Sequence, residues 1–146
     1  RNWGELLQEL RVTQTGIQIL TGFLLILPFQ ARFAELAPVL IGVILAAVAF
    51  SALATALVLT PVTAHRILFR RHEKDVLVNI GGVMAMAGLS CLAITVGLVA
   101  TLVVGMIAGV GAGILAGVCA LLVFALLWLV TPLMLVRRRH GAHPYE

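Results

Sequence analysis

VLVNIGGVMAMAGLSCLAITVGLVATLVVGMIAGVGAGILAGVCALLVFALLWLVTPLMLV, residues 76–136, runs for 61 residues without one charged side chain. A helix rises about 1.5 Å per residue and a bilayer's hydrocarbon core is roughly 30 Å thick, so as a helix this stretch is about three cores long. It must cross a membrane and return. Two shorter uncharged stretches precede it, residues 12–31 and 36–65, each long enough for one span. The expected fold is all-α: a polytopic membrane protein with four transmembrane helices in two hairpins, forming a single domain over residues 1–146. The spans are expected at about 12–29, 38–60, 78–103 and 108–136, with 1–11 as an interfacial extension of the first helix and 137–146 as a tail.

Composition agrees with that reading. Hydrophobic residues make up 62% of the chain and charged residues 11%, against about a quarter charged in soluble domains. Nearly the whole chain is committed to spanning, which leaves no room for a soluble catalytic domain. The net charge of +4 is gathered in short basic clusters beside apolar runs. That is the distribution of juxtamembrane charge facing anionic lipid, not of a nucleic-acid-binding stripe. Arg66, Arg70, Arg71 and Lys74, with Arg137, Arg138 and Arg139, are the candidate contacts to anionic phospholipid. The chain begins with Arg1, so a leader segment is expected to precede it in the full-length protein. Cys91 and Cys119 both lie in apolar stretches and are expected to be free thiols acting as small hydrophobes.

Local signals place the helix ends. Asn2 followed by Glu5 resembles a capping box, and Trp3 suits the headgroup level. The first helix then meets no breaker until Pro28. Pro38 fits the first turn of the second helix, where its missing N–H is not needed. Thr60-Pro61 is expected to kink or end that helix. The long apolar run should reverse near its midpoint, at Gly105 to Met106, where glycine suits a tight turn. With that centre, Cys91 and Cys119 would lie at similar depth. Thr60-Pro61 before Arg70-Arg71-His72 and Thr131-Pro132 before Arg138-Arg139-His140 have the outline of a duplication, though proline near a span end before arginines also recurs by chance.

Orientation follows from counting Lys and Arg beside the spans. One side carries Arg1, Arg11, Arg66, Arg70, Arg71, Lys74 and Arg137 to Arg139, and the other only Arg32. Basic residues are retained on the cytoplasmic face, so both termini are expected there. The imbalance also argues against dual topology.

Chemistry inside the spans is sparse. No Asp, Glu, Lys, Arg or His occurs in residues 12–31, 39–59 or 78–136. A proton-coupled carrier needs a group that binds and releases a proton within the membrane, and none is present there. No phosphate loop, nucleophile elbow or zinc-protease motif occurs, and His65, His72, His140 and His143 lack metal-ligand spacing. Enzyme activity is not expected, and neither a cofactor nor a metal is.

Two patterns stand out. On the first helix Arg11, Gln14, Gln18, Thr21 and Gly22 fall within about 100° of one another at 3.6 residues per turn. Amides in a span require protein or a wet cavity beside them, so this stripe is either an interhelical hydrogen-bonding face or the lining of a polar path. On the fourth helix Gly109, Gly113 and Gly117 recur every four residues after Gly105, a spacing that lets helix backbones approach closely. The partner for this face is either the third helix, through Ala85, Gly88, Ala93 and Gly97, or another subunit; the alternative for Gly105, and for Gly109 with it, is a place in the turn.

Trp3-Gly4-Glu5-Leu6-Leu7-Gln8-Glu9-Leu10-Arg11-Val12-Thr13-Gln14-Thr15-Gly16-Ile17-Gln18-Ile19-Leu20, followed by Pro61-Val62-Thr63-Ala64-His65-Arg66, resembles an uncharacterised actinobacterial family of small four-helix membrane proteins, a domain of unknown function. The likeness runs along nearly the whole chain. It implies a bacterial plasma membrane and carries over no functional residues; the sodium/proton antiporter label that some members bear conflicts with the absence of an intramembrane carboxylate. The expected function is therefore a non-enzymatic small plasma-membrane protein, an accessory or interaction subunit of a membrane complex, with the lipid bilayer and a membrane-protein partner or a second copy as its contacts. The alternative is a small oligomeric transporter or channel with the first-helix amides lining its path. Ion flux through the chain alone discriminates the two.

Overall fold

The computed structural model describes residues 3–68 and 74–140. Within them, side chains are described for Gln8, 11–60, Thr63, 82–128 and Val130. Four helices, α1 (Trp3–Ile26), α2 (Pro38–Leu68), α3 (Lys74–Ala108) and α4 (Val110–His140), account for most of the chain. All four are long and apolar enough to cross a membrane, over Arg11–Phe29, Pro38–Thr60, Gly82–Ala108 and Val110–Trp128.

Breakers set some of these limits. Pro28 stops α1 at Ile26, and the chain passes through two short 3-10 turns, Leu27–Phe29 and Phe33–Glu35, before Pro38 opens α2. Thr60-Pro61 does not end α2, which continues to Leu68. Proline removes one N–H from the helix ladder and leaves the rest of it able to form, so α2 runs on past it. Thr60 and Thr63 place their hydroxyls on the carbonyls of Ala56 and Leu59, both at 2.8 Å.

The reversal of the long apolar run lies at Gly109, four residues beyond the expected Gly105 to Met106. Gly105 instead belongs to α3. Gly109 has φ +90°, a backbone conformation open to glycine and disfavoured by a Cβ. Its N–H donates to the Gly105 carbonyl and its own carbonyl accepts from the Gly113 N–H, each at 3.1 Å. One residue thus closes α3 and opens α4. Centred there, Cys91 and Cys119 do not share a depth: both thiols are free, Cys91 buried and Cys119 exposed. The two hairpins also differ in their turns, a single residue between α3 and α4 against two 3-10 turns between α1 and α2.

The helices pack mainly in chain order, α1 on α2, α2 on α3 and α3 on α4. Successive helices run in opposite directions. Ile17 of α1 meets Ala54 and Val58 near one end of α2, together with Cys91, while Leu27 packs on Leu40 and Ile44 near the other, together with Leu102. On α2 the buried residues are Leu40, Ile44, Ala47, Ser51, Ala54 and Val58. Their alternating four- and three-residue spacing is the seam of a left-handed helix pair. Helix α3 is covered on two sides, and 39% of the 18-residue stretch at the heart of its span is buried, against 11% for the corresponding stretches of α1 and α4.

Outside this seam the surface is apolar. Ile114, Leu115, Val118, Leu122, Val123, Leu126 and Leu127 on α4 are all exposed. In lipid this is the solvated face, and no hydrophobic force drives helices together. Close contact must hold them instead, and the small residues of the seams permit it.

Candidate functional site

The glycines of α3 and α4 form the closest helix contact. A Cβ on Gly113 would lie 2.7 Å from the Gly105 Cα and 2.8 Å from its nitrogen, and would overlap the Thr101 carbonyl oxygen. On Gly117 it would overlap the Thr101 hydroxyl and lie 2.8 Å from the Gly97 carbonyl oxygen. On Gly97 it would lie 2.8 Å from Leu121 Cγ. The pairs 105 with 113, 101 with 117 and 97 with 121 are each symmetric about residue 109, as a hairpin turning at Gly109 requires.

Of the three glycines expected to share this face, Gly113 and Gly117 are buried in it. Gly109 is the turn, and a Cβ there meets nothing within 4 Å. Among the expected α3 partners Gly97 faces α4, whereas Gly88 packs on α2, where a Cβ would lie 2.8 Å from Val58 Cγ2 and 3.4 Å from the Ala54 carbonyl oxygen. Ala85 likewise packs against the cluster of Ala54, Val58 and Cys91. Thr101 was missed, and Gly105, expected at the turn or at the head of the α4 recurrence, stands on the α3 side of the contact. Their signal was present as Gly97, Thr101 and Gly105, three small residues at four-residue intervals.

Buried hydroxyls in the bundle are satisfied within their own helices. Ser51 donates to the Val48 carbonyl at 2.9 Å, Thr95 to Cys91 at 2.9 Å and Thr101 to Gly97 at 3.0 Å. Such back-bonding takes the donor to its own backbone and leaves none for a neighbouring helix. The α2, α3 and α4 seams are therefore held by packing.

The α1 stripe differs. Ile17 and Leu24 are the buried residues of the span and define its inner face, with Gln14 and Thr21 half-buried on one edge. Thr21 donates to the Ile17 carbonyl at 2.7 Å. Arg11, Gln18 and Gly22 continue around that edge and are exposed, and a Cβ on Gly22 meets nothing within 4 Å. Neither Gln14 nor Gln18 hydrogen-bonds another helix among the described residues, and no buried side-chain polar atom there lacks a partner. Gln18 is exposed and Gln14 half-buried, so neither carboxamide is enclosed by the bundle. The stripe runs from the half-buried edge of α1, at Gln14 and Thr21, to its exposed flank at Arg11, Gln18 and Gly22.

Arg70 and Arg71 lie outside the described residues, as do the side chains of Arg66, Lys74 and Arg137 to Arg139, and Asn2 with the cap expected of it.

The model of a family of unknown function, DUF6328, matches residues 1–132, from the amphipathic start of α1 through the α3–α4 zipper. The chain belongs to DUF6328. All the residues of the α1 stripe and of the glycine contact fall inside the DUF6328 match, and the Arg137 to Arg139 cluster falls beyond it. No curated protein and no solved structure matches the chain.

Proposed function

We propose that the chain is a non-enzymatic, multi-pass protein of the bacterial plasma membrane that acts as an accessory or interaction subunit of a membrane complex. The observation that carries this reading is Gln18, an amide exposed at span depth on a helix that its own bundle contacts along one face. Hydrocarbon offers an amide no hydrogen bond, and leaving one unpaired there costs several kcal/mol. A protein contact removes that cost.

Both termini and the segment between α2 and α3 face the cytoplasm, with Arg32 outside, on the nine-to-one count of basic residues. The cytoplasmic clusters then lie where anionic headgroups attract them, by about 1 kcal/mol per residue near the surface. An antiporter reading finds no Asp, Glu, Lys, Arg or His in residues 12–31, 39–59 or 78–136 to carry its proton.

The test is recovery of the tagged chain from its native membrane in mild detergent, alongside the Gln14→Leu/Gln18→Leu variant. A stable membrane-protein complex that the variant loses is the expected result. Proton or cation flux through liposomes holding this chain alone would overturn the reading in favour of a transporter.

A further inference from the structure

The contact face on α1 has a geometry that selects its partner. Gln14, Gln18 and Gly22 are spaced four apart and form one ridge, of the kind that packs against a like ridge on a second helix. Gly22 presents open space where a side chain would stand, so a second backbone approaches closely at that level. From Val12 to Ala31 the chain carries no charge, so two copies meet there without repulsion. Arg11, on the same flank, stands at the water end of the span, where its guanidinium stays hydrated.

A carboxamide both donates and accepts. A second copy inserted in the same orientation brings its own Gln18 to the same depth, and two carboxamides related by a two-fold axis along the membrane normal satisfy each other. An unrelated helix would need a matching amide at that level, whereas a copy supplies it by symmetry. The outer face of α4 makes no such demand, because its exposed residues Leu115, Leu122 and Leu126 are solvated by lipid tails.

Resting on the reading of α1 as the contact face, we propose that the chain forms a parallel two-fold homodimer through the Gln14–Gln18–Gly22 ridge of α1, with the Gln18 carboxamides hydrogen-bonded across the axis. The closed symmetry ends the assembly at two.

Single cysteines placed at Gln18, Ile19, Gly22 and Phe23 of the full chain in lipid bilayers, with Cys119→Ala to remove the exposed native thiol, test the geometry by oxidative cross-linking. Cross-links at positions 18 and 22, with little at 19 and 23, are expected, since Ile19 and Phe23 lie about 100° further around the helix. Subunit counting by single-molecule photobleaching gives the second measurement, using the native sequence. It should find dimers, and Gln14→Leu/Gln18→Leu should weaken them about tenfold. Cross-links strongest at 19 and 23, or monomers of the native chain at every protein-to-lipid ratio, would overturn the dimer. Monomers that still bind a different membrane protein through Gln14 and Gln18 would reject the dimer and leave the accessory-subunit reading standing, whereas flux through the chain alone rejects that reading whether or not it dimerises.

Discussion

A methyl group on Gly113 has nowhere to go. Its position is occupied by the Gly105 backbone and the Thr101 carbonyl, both parts of a helix that cannot swing aside like a side chain. Gly111, two residues earlier on the same helix, is exposed with open space around it. Gly113→Ala should therefore destabilise the α3–α4 contact by about 1–3 kcal/mol through overpacking. Gly111→Ala should be neutral or stabilising by about 0.5–1 kcal/mol, because alanine loses less backbone freedom than glycine in a helix. Thermal unfolding of the two variants in detergent checks the pair. Equal melting temperatures would mean that the backbones do not touch at Gly113. This residue-scale contrast was half legible beforehand: a four-residue recurrence marks a close-packing face but does not say which other helix fills it. Thr101 is the informative case. Its hydroxyl bonds to Gly97 and its side chain occupies the place a Gly117 Cβ would take, a fit that appears only when the two helices are set in register.

At the scale of the element, the α3–α4 hairpin depends on one residue adopting a left-handed conformation. Gly109→Ala should cost about 1–2 kcal/mol from backbone strain alone, since no neighbour stands in the way of its Cβ. Gly109→Asn should cost less, because asparagine tolerates positive φ better than other residues with a Cβ. Melting temperatures in the order Gly, Asn, Ala are expected, and Ala equal to Gly would count against the turn. The midpoint of an uncharged run was a poor guide to this reversal, because α3 extends beyond its span at the end away from the turn, which shifts the centre of the run. Hydropathy sees apolar length and is blind to where a helix folds back. Similarly, Thr60-Pro61 looked like a terminus by the rules of helices in water. The helix instead continues past the span to Leu68, because Pro61 removes one N–H and leaves the other hydrogen bonds of the ladder able to form.

For the whole molecule the orientation in the membrane is the first property to test. In a Cys119→Ala background, Arg32→Cys should react with a membrane-impermeant thiol reagent added to intact cells, and Glu73→Cys should react only after permeabilisation. The reverse pattern would invert the topology and move the basic clusters away from the cytoplasmic lipid. Burial is divided unevenly among the four helices. Helix α3 is clamped on both sides, α4 shows lipid a continuous apolar flank, and α1 touches the bundle along one face and leaves Gln18 exposed. A closed four-helix bundle would have hidden Gln18. The serial arrangement leaves it at the perimeter, which is the ground for the partner proposed above.

Four apolar helices and their approximate limits were determined by the sequence alone, because the absence of charge over a bilayer's length is a property of consecutive residues. So was the division of basic residues between two sides. Which helices touch was decided by the tertiary structure: the pairing of Gly113 and Gly117 with Thr101 and Gly105, of Gly88 with Val58, and the exposure of Gln18 on α1. The physical reason is that lipid solvates every apolar face equally well, so hydrophobic patterning fixes which segments enter the membrane and gives no preference for which faces meet. That choice rests on close contact between small residues, and close contact exists only in three dimensions.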